Sequence, residues 1–530
     1  MRALARFDHS LRLRFAAVLA TALVTASCAT GGPRPAAPAP AREACARIFS
    51  TNDTHGRLLP AEQAFSRGRP VGGAAAIAAY VSQARAETPD CPLFVVSGGD
   101  IMQGTLISNL TDGASTIAAF NAIGYDVAAI GNHEFDWGVD VLRARIGEAD
   151  FAMLGANIYL KGTDRHPEWA RPWAVVERDG VRIGFVGMTT RSTPWTTRPS
   201  NVADYEFRSI AEALDRYVPE VLAEGVDFVV AVMHEGAFCQ DVGTCEGEAL
   251  AELAKATARF DYAVTGHTHS RVETTVRDVP VVQSFSNSTA FGLGRLDRAG
   301  NGRVRARLLG VRTAYADEVE PDSAVAALVD GYLGKFGDRI SRVVTELAAE
   351  ALKPRRGDFP LGRLIADAQR HATGAQVAMM NNGGIRRPLP AGPITYADLF
   401  ELQPFGNRLV RLTVTGDVIL RALEHALEER GTDAQVSGLR VFYDPGAPEG
   451  SQILGAELDD GTPIARDADY TVAMNDFMAQ GGSGYGVFVE ADEVVETGII
   501  DLEALVAYVG ALPRPVELPN EDRWIAMRRR

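Results

Sequence analysis

From residue 45 to about residue 310 the chain alternates short apolar runs with longer alanine-rich stretches. RIFSTND, LFVVSGGD, VAAIGNHE, FAMLGANI, RIGFVGMT, DFVVAVMHE and YAVTGHTH are each rich in Val, Ile, Leu, Phe or Ala and run into polar residues. That pattern predicts buried strands that end in polar loops. Between them, GGAAAIAAYVSQARAE and SIAEALDRYVPEVLAEG space their apolar residues as helices do. Strand and helix in alternation predict an α/β layout, in which functional groups gather beyond the carboxyl ends of the strands. Residues 322–345, DSAVAALVDGYLGKFGDRISRVVT, predict a connecting helix. Beyond it lies a second unit, 346–530, with its own strands and with helices in LGRLIADAQRHATG and TGDVILRALEHALEER.

At 530 residues the chain exceeds what one core organises, so two or three domains are expected. Hydrophobic residues at 46% and charged residues at 23% describe a globular protein rather than a disordered or fibrous one. The formal charge is −15, from 53 basic and 68 acidic residues. Such a balance argues against a nucleic-acid polymer as partner, because no basic surface would release its counterions. A small anionic substrate stays open, since bound metal ions supply local positive charge.

The first residues form a targeting segment and lie outside the fold argument. Arg2, Arg6, Arg12 and Arg14 precede FAAVLATALVTA, which is too short to span a bilayer. TASC follows, with Cys28 where a bacterial lipoprotein would be cut and lipid-anchored, although Thr25 replaces the usual leucine. Cleavage nearby by an ordinary signal peptidase is the alternative. Residues 1–28 are thus read as a signal peptide and residues 29–44 as a Pro/Ala-rich tether, which implies export to the periplasm or the cell envelope. Four further cysteines remain, an even number suited to an oxidising compartment. Cys239 and Cys245 could close a small loop. Cys45 and Cys91 each open a predicted strand and could pair if those strands are parallel neighbours. Four free thiols are the other reading.

The polar ends of the predicted strands carry metal-competent residues: Asp53 and His55 in NDTHG, Asp100 in SGGD, Asn132 and His133 in GNHE, His234 in MHEG, and His267 and His269 in GHTH. One such residue is usually a turn former. Together they are specific, because five of only nine histidines fall at these strand ends. Aspartate, asparagine and histidine without thiolate suit Mn, Zn, Fe or Co, and one carboxylate can bridge two ions.

DxH, GGD, GNHE, H and GHxH in this order resemble the calcineurin-like metallophosphoesterases. The resemblance implies a four-layer αββα sandwich over residues 45–320, with a linker helix at 321–345. It implies one divalent ion held by Asp53, His55, Asp100 and His269, and a second by the shared Asp100, Asn132, His234 and His267. A metal-activated water would then attack phosphorus in line with the leaving oxygen. His133 would point past the ions toward the phosphoryl group, as an acid oriented by Asp136.

RRGDFPLGRLIADA, MMNNGGIRRPL, LFELQPFGNRLV and MNDFMAQGGSGYG resemble the carboxy-terminal domain of the 5′-nucleotidase/UDP-sugar hydrolase family, a separate mixed α/β domain that holds the nucleotide. By that resemblance Phe405 and Phe477 sandwich the base, and Arg355, Asn381, Arg386 and Asn407 contact base, ribose or phosphate. Ser483 stands where relatives such as ecto-5′-nucleotidase carry an aspartate that grips the ribose, which implies weaker or broader sugar recognition. The implied activity is metal-dependent hydrolysis of nucleoside 5′-monophosphates, with other nucleotides or UDP-sugars possible. A 2′,3′-cyclic-nucleotide 2′-phosphodiesterase/3′-nucleotidase is the alternative on the same architecture, and Asp136, where cyclic-side relatives tend to carry asparagine, tilts against it. A surface nucleotide-binding lipoprotein without catalysis is a third reading, opposed by the intact ligand set.

Overall fold

The structure, a computed structural model, describes residues 43–241, 244–336, 341–428 and 431–527. The signal peptide, the tether and Cys28 lie outside the described residues. Among the described residues no helix is long and apolar enough to cross a membrane.

The first domain is built on two six-stranded sheets. In one, strands Ala44–Thr51, Leu93–Ser97, Val127–Ala129 and Ala152–Leu154 run parallel in that order, and two antiparallel strands, Ala290–Arg298 and Val304–Thr313, extend the Ala44 edge. In the other, Val181–Thr189, Phe228–His234, Tyr262–Val264 and Val279–Ser284 run parallel, flanked by antiparallel Trp173–Arg178 and Arg271–Val276. These strands are apolar on both sides because each sheet is covered on both faces. Ile48, Phe94, Val96 and Val127 meet Phe185, Val230, Val232 and Val264 between the sheets. The alternate residues Phe49, Val95 and Ala128 turn outward onto helices Ala74–Glu87, Ala114–Ile123 and Val139–Glu148. On the far side Val229, Ala231 and Met233 pack on helices Ile210–Ala223 and Glu248–Lys255. The result is the four-layer αββα sandwich. Cys45, on strand Ala44–Thr51, and Cys91, two residues before strand Leu93–Ser97, form a disulfide at the same end of the parallel pair, with Cα atoms 5.4 Å apart.

The connecting segment forms a helix only over Ser323–Leu333, started by Asp322 accepting from the Ala324 and Val325 N–H groups. Val325 and Val329 bury into the first domain's core, so this helix is part of that domain's packing rather than a free rod.

The second domain centres on a five-stranded mixed sheet, in the order Ala434–Ser437, Val377–Asn381, Asp469–Asn475, Arg408–Thr415, Glu493–Ile500. Helix Gly416–Ala426 covers one face. Helices Pro360–Thr373 and Asp501–Ala511 cover the other. The helix in TGDVILRALEHALEER ends at Ala426, short of its apolar pattern, because Leu427–Glu428 pairs as a strand with Gly431–Thr432.

The two domains touch through specific groups. Leu106 of the first domain inserts into the apolar cluster around Leu399 and Leu402 of the second. Arg57 binds Glu401 through two hydrogen bonds, 3.2 and 3.0 Å, and Asn109 donates to the Pro404 carbonyl at 2.6 Å. Ile48 is fully buried between the sheets. Ile48→Ala is expected to lower stability by about 2–5 kcal/mol in denaturant unfolding, the usual cost of such a truncation.

Candidate active site

The predicted metal set converges where parallel strands of both sheets end. Strand Ala44–Thr51 leads into Asp53 and His55, Leu93–Ser97 into Asp100, and Val127–Ala129 into Asn132 and His133. From the facing sheet, Phe228–His234 ends on His234 and Tyr262–Val264 leads into His267 and His269. Asp53, His55 and His269 present ligand atoms within 4.8 Å of one another, and so do Asp100, His234 and His267. Asp100 lies between the groups, its Oδ2 3.0 Å from His234 Nε2 and 3.9 Å from His55 Nε2. Asn132 joins through Oδ1, 3.1 Å from His234 Nε2, while its amide nitrogen donates to the Thr196 carbonyl and so turns the oxygen inward.

Backbone conformation aims these side chains. Asp53, His55, Asp100, His267 and His269 adopt left-handed φ values of 49°, 50°, 51°, 73° and 52°. Non-glycine residues visit that region rarely, and a cluster of them is a mark of functional strain. Gly131 permits the closest approach: a Cβ there would lie 2.1 Å from Asp100 Oδ1.

The donor set fits divalent metal ions. His55 Nδ1 donates to the Gln103 carbonyl at 2.8 Å, and His234 Nδ1 to the Gly98 carbonyl at 2.8 Å. Each Nε2 is thereby left to serve as a ligand. His55 Nε2 faces His269 Nε2 at 3.0 Å, an arrangement of two lone pairs that a shared cation satisfies. Burial and neighbouring His269 hold His55 well below the usual imidazole range, and burial with His234 beside it holds His267 down to about 3. Both rings are neutral and ligand-competent. Two carboxylates, one amide oxygen and four imidazoles, without thiolate, suit ions of intermediate hardness.

His133 stands apart from this set. Its backbone N–H donates to Asp100 Oδ1 at 2.9 Å, and its ring Nδ1 meets Asp136 Oδ2 at 2.7 Å. Thr197 Oγ1 donates to the other Asp136 oxygen at 2.7 Å. Against its burial, Asp136 and Asp100 raise the His133 pKa and favour the charged ring.

A cavity of about 700 Å³ opens over the cluster between the domains. All seven residues expected to bind substrate line it: Arg355, Asn381, Arg386, Phe405, Asn407, Phe477 and Ser483. Phe405 reaches across to stack on His133, ring centroids 5.5 Å apart, and the Arg386 guanidinium lies 5.5 Å from the Phe405 ring centre. Asn381 donates to Ser483 Oγ at 3.1 Å and accepts from Asn475 at 3.1 Å. Ser483 itself is left-handed, at φ 54°.

Three contributors escaped sequence reasoning. Glu134 is fully buried, and its carboxylate accepts from the backbone N–H groups of Gly131, Asp100, Ile101 and Met102 at 2.7, 2.9, 2.8 and 3.3 Å. Burial and Asp100 push it up to about 7. It ties the GNHE turn to the Asp100 loop; its only sequence signal was an acid beside ligands at a buried strand end. Lys353 and Phe238 also line the cavity, from opposite domains, and no motif distinguished them.

Fold and site together define a metallophosphoesterase, a phosphoric ester hydrolase. Residues 46–271 match the calcineurin-like phosphoesterase family and residues 341–490 match the 5′-nucleotidase C-terminal domain. The chain belongs to the family that joins these two domains, the 5′-nucleotidase/UDP-sugar hydrolase family. It is 30% identical to Endonuclease YhcR of Bacillus subtilis over 511 residues, covering 92% of this chain but only 41% of that protein. It is 29% identical to Protein UshA of Escherichia coli, covering 87% of this chain and 90% of that one. Among solved structures, the 5′-nucleotidase precursor from Thermus thermophilus superposes with a TM-score of 0.81 at 29% identity, covering 92% of this chain and all of that one. The family implies divalent metal ions, and the two groups of side chains above are candidate sites for them.

Glu134→Gln would turn an amide N–H against backbone donors that need an acceptor. Metal affinity is expected to fall by about 10- to 100-fold, the usual effect of losing a residue that orients ligands, read by metal titration of the purified protein.

Proposed function

We propose that the chain hydrolyses nucleoside 5′-monophosphates to nucleoside and phosphate outside the cytoplasm. The observation that carries this reading is one cavity with a metal-competent floor from residues 45–320 and an aromatic, basic wall from residues 346–530. Asp53, His55, Asp100 and His269 would hold one ion, and Asp100, Asn132, His234 and His267 the other, drawn from Mn, Zn, Co or Fe. When bound, such ions would supply Lewis acidity and activate water. Phe405 and Phe477 stack the base, at about 1–3 kcal/mol per base and with little base preference. Arg355 and Arg386 offer guanidinium forks to phosphate or ribose. Asn381, Asn407 and Ser483 add hydrogen bonds to the nucleoside. His133, with Nδ1 occupied by Asp136, presents Nε2 to the leaving oxygen and delivers the proton there. The identity of residue 136, aspartate where relatives on the cyclic side tend to carry asparagine, favours this reading over a 2′,3′-cyclic phosphodiesterase. Export rests on the amino-terminal pattern and on the paired cysteines, Cys45 with Cys91 and Cys239 with Cys245. Lipid anchoring rests on Cys28 alone.

A panel of nucleoside mono-, di- and triphosphates, UDP-glucose and 2′,3′-cyclic nucleotides, run on chelated protein reloaded with each metal, tests the assignment. Metal-dependent phosphate release from the 5′-monophosphates is expected, and turnover of cyclic nucleotides alone would sink the reading. His133→Asn is expected to keep both ions and to lower kcat by about 10²- to 10⁴-fold. Loss of metal in that variant would return His133 to the ligands.

Lys353 adds a pH limb. Burial and the neighbouring Arg386 hold its ammonium down to about 8, so its charge is present below that pH and is lost above it. KM for an anionic ester is expected to rise about tenfold as pH passes 8, and Lys353→Met to show the raised KM at every pH. A flat KM profile in the unmutated protein would remove Lys353 from the binding set.

A further inference from the structure

Phe238 opens a short hairpin of the first domain, Phe238–Asp241 against Thr244–Glu246, four residues beyond His234. Phe238 faces Glu246, and the next pair, Cys239 and Cys245, is joined by a disulfide with Cα atoms 4.0 Å apart. The hairpin is also pinned at its base. The Ala237 carbonyl accepts from Thr268 Oγ1 at 2.8 Å, and Thr268 lies between His267 and His269. Glu235 accepts from its neighbour Gly236 N–H at 3.1 Å and from Thr190 Oγ1 at 2.8 Å. The phenyl ring therefore stands in fixed register with the loops that carry the proposed ligands.

Across the domain boundary, the guanidinium carbon of Arg355 lies 4.2 Å from the centre of the Phe238 ring. Both residues line the cavity. A guanidinium over a ring face is attracted by the ring quadrupole, and a planar group stacked in this way can still offer N–H donors along its edge to an anion or a carbonyl. Arginine otherwise has many rotamers to lose when it binds.

We propose that Phe238 is a positioning residue for substrate binding: its ring, held by the stapled hairpin, pre-orients Arg355 toward the nucleotide and couples the second domain's grip to the first domain's metal loops. The proposal rests on the reading of Arg355 as a substrate contact. The device acts on affinity, because Phe238 reaches the substrate only through Arg355.

The test is a kinetic cycle on the metal-loaded full chain with a nucleoside 5′-monophosphate: Phe238→Leu, Arg355→Ala and the pair together, with Phe238→Tyr as the conservative variant. Phe238→Leu is expected to raise KM about threefold to tenfold at nearly unchanged kcat and metal content, the range expected for one cation–π contact. Phe238→Tyr should restore KM, and the double variant should be no worse than Arg355→Ala. Additive effects in the double variant, equal KM values for the leucine and tyrosine variants, or a fall in kcat alone would overturn the proposal. If Phe238→Leu leaves KM unchanged while Arg355→Ala raises it, the positioning role fails and the substrate contact stands. If Arg355→Ala also leaves KM unchanged, the substrate contact fails and the positioning role falls with it. Should Phe238→Leu lose metal or misfold, the tyrosine variant decides: an unchanged KM supports the stack and a raised KM overturns it.

Discussion

The face-to-face packing of two sheets is the constraint on which the rest depends. Ile48, Phe94 and Val127 on one side and Phe185, Val230 and Val264 on the other leave the sheets no freedom to slide. Five strands drawn from both sheets therefore end at one edge, in a common layer. Asp53 and Asp100 come from one sheet and His234 and His267 from the other, and the pairs meet only because the apolar layer beneath sets their height. The Glu134 carboxylate then fixes the loops of the first sheet to each other, with four backbone donors held in a dry site.

Much of this architecture was legible in the chain. The strands were readable because each apolar run stops abruptly, and the stop is where the sheet ends and the polar layer begins. The candidate ligands were readable for the same reason: aspartate, asparagine and histidine cluster at those stops. What was hidden is through-space. Glu134 looks like any acid near a turn until its burial and its four backbone donors are seen. Lys353 and Phe238 carry no motif and acquire significance only because the domains bring them to one cavity. The early end of helix Gly416–Ala426 was also hidden, since Leu427–Glu428 is claimed by strand pairing that local periodicity does not register.

The second domain does more than cover the cavity. Phe405 lies on the His133 ring, Arg355 on the Phe238 ring, and Glu401 on Arg57. Each contact takes one partner from each domain. Polar groups on the cavity floor are thereby shielded from water, which strengthens every charge interaction among them.

The left-handed backbone at Asp53, His55, Asp100, His267 and His269 has a cost that the sandwich carries. Residues held in that region are disfavoured by about 1–3 kcal/mol each, and glycine would relieve the strain at any of them. The backbone strain is thus concentrated on five of the seven candidate ligand positions, so a glycine at any of them would ease the chain locally while removing a metal-competent side chain from the floor of the cavity.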